Sequence, residues 1–121
     1  MQLYGTGRTN LTALSPGDRM LLFDGTETPV TGMTSLAFVR APSPGEQLPA
    51  QMVFTIDFAA APTATVIIQG ASADVPARYQ TLKTSTNTQD DYYQDAGNFT
   101  FYRVQISSYA SGGMPVIAVQ R

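Results

Sequence analysis

Cysteine, histidine and tryptophan are all missing from the 121 residues, and each absence removes chemistry. Without Cys there is no disulfide, no thiolate nucleophile and no thiolate metal site, and stability does not depend on the redox compartment. Without His the usual general base and the commonest metal ligand are gone. Charge is scarce as well. Charged residues make up 13% of the chain, about half the usual quarter. Seven basic residues against nine acidic ones give a net charge of −2, so no cationic field attracts a phosphate backbone and no nucleic-acid partner is expected. The same shortage of Lys and Arg argues against an anionic membrane surface. No apolar run approaches the roughly 20 residues that span a bilayer, so no membrane partner is expected either. Residues Met1 to Gly5 lack the basic-then-apolar pattern of a secretory signal, and cytosolic synthesis is the expectation.

What the chain does contain is Thr, Ser, Gln, Ala, Gly and Pro, and short apolar runs cut by turn formers. The length suits one domain. Residues 1–17 read as an N-terminal arm rich in Gly, Thr, Ser and Asn, closed by Ser15-Pro16-Gly17-Asp18, where Pro fixes φ and Gly permits a sharp turn. Its apolar residues Leu3, Tyr4, Leu11 and Leu14 would anchor it to its own sheet or to a neighbouring subunit. Residues 18–121 read as the folded domain. Arg19–Asp24 and Thr34–Ala41 are expected strands, separated by Gly25-Thr26-Glu27-Thr28-Pro29. Ala41-Pro42-Ser43-Pro44-Gly45 closes the second, because its prolines remove ladder donors. Gln51–Phe58 alternates most clearly, with Met52, Phe54, Ile56 and Phe58 on one face. The β-branched run Thr65-Val66-Ile67-Ile68 marks a central strand over Ala64–Gln69. Further strands are expected over Arg78–Lys83, Thr86–Tyr93, Asn98–Ser107 and Met114–Gln120. About eight short strands at even spacing, with no 3.6-residue period, predict an all-β, single-domain antiparallel β-sandwich, jelly-roll-like in its connections.

Catalytic chemistry would have to come from carboxylates. Asp90, Asp91 and Asp95 form one local cluster, whose oxygens suit Ca²⁺ in principle and whose plainer reading is a solvated turn. Glu27, Glu46 and Asp57 are formal candidates for a glycosidase pair, but nothing in the sequence brings them together. Gly5-Thr6-Gly7 lacks the Lys and the following helix of a phosphate loop. The expectation is a protein that is not an enzyme and carries no metal or cofactor.

Half of the aromatic residues fall between Tyr92 and Tyr109. Aromatics this dense build cores, interfaces or sugar platforms. The Phe residues are expected to pack inside, whereas Tyr92, Tyr93 and Tyr109 are candidates, with the arm residues, for an interaction surface.

Three stretches then carry a resemblance: Ala64-Thr65-Val66-Ile67-Ile68-Gln69-Gly70-Ala71-Ser72, Tyr79-Gln80-Thr81-Leu82, and Phe101-Tyr102-Arg103-Val104-Gln105-Ile106-Ser107-Ser108-Tyr109. Together they resemble small virion proteins of tailed bacteriophages. In these a strand ending in a QGS-like turn precedes Y-x-T-L, then Y-R-V, a Ser- or Thr-rich turn with paired Gly, and a closing strand. The resemblance implies a head decoration or cement protein, made in the host cytoplasm and located on the virion capsid surface. Its implied partner is the major capsid protein, and it would form a homo-oligomer or symmetry-related clusters there. No catalytic residue is implied. The first 50 residues lie outside the resemblance, which leaves an alternative open: a carbohydrate-binding or adaptor module of a phage tail, baseplate or neck.

Overall fold

The computed structural model describes residues 2–4, 12–14, 17–28, 30–40, 52–58, 63–86, 91–95 and 99–121. Where polar and apolar side chains alternate, the chain extends and buries one face. The strands are β1 (Gln2–Tyr4), β2 (Thr12–Leu14), β3 (Arg19–Asp24), β4 (Phe38–Arg40), β5 (Met52–Asp57), β6 (Thr63–Ala71), β7 (Gln80–Ser85), β8 (Asp91–Asp95), β9 (Phe101–Ser111) and β10 (Val116–Gln120). A single 3-10 turn, Pro76–Arg78, is the sole helical piece among the described residues, and no helix there is long and apolar enough to cross a membrane.

The described residues form two five-stranded sheets, the first ordered β1-β3-β10-β5-β8 and the second β2-β4-β9-β6-β7. Four antiparallel pairs, β3 with β10, β4 with β9, β5 with β8 and β6 with β7, are successive rungs of one long hairpin. The rungs alternate between the sheets. β10 then joins β5 within the first sheet, and β9 joins β6 within the second. This is an all-β sandwich, as the spacing of the apolar runs predicts.

Between the sheets lie Met20, Leu22, Phe38, Met52, Phe54, Ile56, Val66, Ile68, Tyr102, Val104, Ile106, Ile117 and Val119, all essentially without exposed surface. The strictly alternating face of β5 is the inner one, with Thr55 and Asp57 outside. β9 occupies the middle of its sheet, with Tyr102, Val104 and Ile106 buried on its inner face and Phe101, Arg103 and Gln105 partly buried on the other. The aromatic core joins strands of both sheets: Phe38 stacks on Tyr102 with ring centroids 5.7 Å apart, and Phe54 touches Phe38, Tyr93 and Tyr102 at 6.1–6.3 Å.

Two departures from expectation have local causes. The strand expected over Thr34–Ala41 is regular only from Phe38. Upstream, Ser35 places its hydroxyl where a ladder carbonyl would stand, accepting the Val104 N–H at 2.9 Å while its own N–H donates to Val104 O at 2.8 Å. The strand expected from Arg78 begins instead at Gln80, because Pro76 opens a 3-10 turn in which Arg78 N–H donates to Val75 O.

The described parts of residues 1–17 are not detached from the domain. β1 runs parallel to β3 and pairs Leu3 with Met20 and Tyr4 with Leu21. β2 runs parallel to β4 and pairs Leu14 with Arg40. The segment thus supplies the outermost strand on one side of each sheet, and short outer strands of this kind cover edges that would otherwise template pairing.

Candidate functional site

Of the residues expected to form an interaction surface, the four with described side chains, Leu14, Tyr92, Tyr93 and Tyr109, do not share one face. Leu14 is fully buried in the core, so of its two expected anchorages, its own sheet or a neighbouring subunit, it takes the first and is not part of an interaction surface: its place opposite Arg40 turns it between the sheets, and Arg121 Nη1 donates to its carbonyl at 2.6 Å. Leu3 and Tyr4 sit in β1, and Leu11 lies outside the described residues. Tyr93 is corrected as well. It faces inward against Phe54 because neighbours on a strand point to opposite sides. Its neighbour Tyr92 is 65% exposed on the outer face of the first sheet, opposite Thr55. Tyr109 packs against the edge of the core and donates its hydroxyl to Gly112 O.

The carboxylates are held by their own surroundings. Glu27 accepts the N–H groups of Asp24 and Gly25 at 3.1 Å each, tying the turn after β3. Asp24 accepts Thr26 N–H at 2.9 Å, and hydrogen bonding from Thr26 lowers its pKa. Asp57, on the outer face of β5, is opposite Val116. Glu46 and Asp90 lie outside the described residues. Asp91 accepts the Ser85 hydroxyl at 2.8 Å and is 3.6 Å from Lys83 Nζ. The Ser85 bond is the leading cause of its lowered pKa, and it closes the gap between β7 and β8, which belong to different sheets. Asp91 and Asp95 stand four residues apart on one strand, about 13 Å at the usual rise, so one cation cannot bind both. Among the described residues no three acidic side chains come together as metal ligands.

Two polar constellations were not singled out by sequence. In the first, Tyr102 donates to Asp95 Oδ2 at 2.7 Å and accepts the Phe99 N–H at 3.0 Å, while Tyr93 donates to Asp95 Oδ1 at 3.0 Å. Burial, then the bond to Asp95, pushes the Tyr102 hydroxyl far above the usual phenol range, and the same two causes raise Tyr93. This cluster sits within the sandwich and ties β8 of one sheet to β9 of the other.

The second lies on the outer face of the second sheet. Gln69 of β6 and Arg103 of β9 are register partners, and Arg103 Nε donates to Gln69 Oε1 at 2.8 Å. The guanidinium lies over the Tyr79 ring, 4.0 Å from its centroid. Tyr79 in turn donates to Asp74 Oδ1 at 2.6 Å. Burial and Asp74 raise the Tyr79 hydroxyl above the usual range, and the Arg103 charge opposes them. The sequence signal was available only in part: Tyr79 and Arg103 both belong to the resembling stretches, but the register that joins them is a property of the sheet.

Comparison with protein families, with characterised proteins and with solved structures finds no match for this chain.

Proposed function

We propose that the chain is a non-enzymatic structural protein of a bacteriophage virion, binding the outside of the capsid and stabilising contacts between major capsid subunits. The observation that carries this reading is the use made of the described carboxylates: Asp24, Glu27, Asp74, Asp91 and Asp95 each accept hydrogen bonds from the protein's own turns and strands. Polar chemistry spent on rigidity suits a body that binds by shape, because a preorganised surface loses little entropy on docking. The sparsely charged surface and the phage-like C-terminal stretches point the same way. We read the rolled hairpin as a jelly roll, an architecture found in capsid proteins and lectins among others, although a fold alone does not decide function.

A second reading, a carbohydrate-binding or adaptor module of a tail, baseplate or neck, is favoured by one feature, the exposed Tyr92. Its inward-facing neighbour Tyr93 weakens it, since the two do not form one aromatic platform. The deciding experiment is co-sedimentation of the purified chain with undecorated capsids of the encoding phage, recording capsid melting in the same samples. Saturable binding that raises the capsid's melting temperature supports the cement role and gives a copy number. A folded protein that does not bind capsids sinks it in favour of the second reading.

A further inference from the structure

An arginine that is both stacked and hydrogen-bonded through Nε has lost most of its conformational freedom, and what it still offers is its Nη edge. Arg103 is in that state. Gln69, itself buried on an outer sheet face, fixes Nε, and Tyr79 fixes the guanidinium plane. The Tyr79 ring is held in turn by Asp74 and by the 3-10 turn that precedes it. Arg103 itself is only partly buried, and its bond to Gln69 is made through Nε, which leaves the Nη atoms as the donors for a ligand. A planar fork of this kind matches a carboxylate in bidentate geometry, and Arg and Tyr are both residue types enriched among those that dominate protein interfaces.

We propose that Arg103 is a docking site for a carboxylate on a protein partner, an Asp or Glu side chain received on the outer face of the second sheet. This deepens the capsid-binding reading by naming a contact chemistry, but its test uses no capsid, so the two fail separately. Asp74 supplies a signature that a purely structural arginine would not give. Its negative charge shares Tyr79 with Arg103 and opposes an incoming carboxylate. Removing that charge should therefore strengthen binding.

The test is a titration of the full chain with sodium acetate, followed by NMR at the Arg103 Nε–H resonance, with sodium chloride at equal ionic strength as the control and Arg78 as an internal reference. The expected result is a saturable acetate shift at Arg103 that chloride does not produce and Arg78 does not share. Arg103→Lys should lose saturable acetate binding, read at the Tyr79 ring resonances, with the amide spectrum otherwise intact. Asp74→Asn, which keeps a carbonyl oxygen for Tyr79, should tighten acetate binding roughly two- to threefold. A blocked Gly-Asp-Gly peptide should compete with acetate. A response at Arg103 no greater than that at Arg78 overturns the site, even if Arg103→Lys fails to fold. Unchanged acetate affinity in Asp74→Asn also overturns it, and binding of acetate but not of the peptide overturns the protein partner.

Discussion

Tyr102 has no exposed surface, yet its hydroxyl reaches Asp95 Oδ2 at 2.7 Å across the interior of the sandwich. The Tyr102 hydroxyl oxygen also accepts the Phe99 N–H at 3.0 Å, so one phenol joins the two sheets and secures the start of β9. Replacing it with Phe keeps the ring stacked on Phe38 and removes both bonds. Tyr102→Phe should cost about 1–3 kcal/mol, the usual penalty for leaving buried polar groups short of a partner, read as a lower urea midpoint with an unchanged slope. Tyr93→Phe should cost less, because that ring is only partly buried. Equal costs in the two variants would refute the assignment of Tyr102 as the principal link.

Gly70 owes its identity to Phe99. A Cβ at position 70 would come within 2.7 Å of the Phe99 ring, and the glycine is buried on β6 opposite Tyr102. The ring covers the gap that the missing side chain leaves, an arrangement known to stabilise glycine within sheets. Gly70→Ala should destabilise by about 1–3 kcal/mol through overpacking. Because the cause is the ring and not the backbone angle, adding Phe99→Leu should recover part of the loss; a fully additive double variant would show that the ring is not responsible.

The sheet interior was legible in the sequence and the cross-links were not. Arg19–Asp24 has the same limits as β3, and the inner face of β5 is the alternating set Met52, Phe54, Ile56, because a period of two is a local property that burial imposes strand by strand. Asp95 and Tyr102 stand only seven residues apart, but nothing local says that the strands they end and begin belong to opposite sheets. Gln69 and Arg103 meet through a pairing over thirty residues long in sequence separation, in a strand whose register shifts at bulges. The pattern of Thr34–Ala41 misled for a related reason: Ser35 bonds to the neighbouring strand with its side chain, which periodicity does not register.

Stability should be level in the middle of the pH range and fall at both ends. Tyr79, Tyr93 and Tyr102 have raised pKa values, so their contribution is complete below the ordinary phenol value of about 10 and is lost as the pH rises from there toward their folded values. Asp24 and Asp91 have lowered values, so theirs is complete above about 3.9 and is lost as the pH falls through the folded values. Urea midpoints across this range check both limbs. Tyrosinate absorbance gives a second test: Tyr79, Tyr93 and Tyr102 should ionise at higher pH in the folded chain than in the unfolded one.

Leu14 decides how the N-terminal segment must be tested. Its side chain is fully buried among the core residues, and Arg121 donates to its carbonyl, so deleting residues 1–17 removes part of the core along with the rest of the segment. Leu14→Ala alone should cost about 2–5 kcal/mol, the range for a buried leucine that leaves a cavity, measured by urea unfolding. A cost near zero would mean that β2 does not hold its place in solution. A loss of capsid binding on removal of the whole segment would therefore mix unfolding with lost contact, whereas deletion of residues 1–10 keeps Leu14 and β2 in place. If that shorter deletion preserves the unfolding midpoint to within the small cost of losing β1 and still abolishes capsid binding, the segment itself touches the capsid; if binding survives, the contact lies on the sandwich.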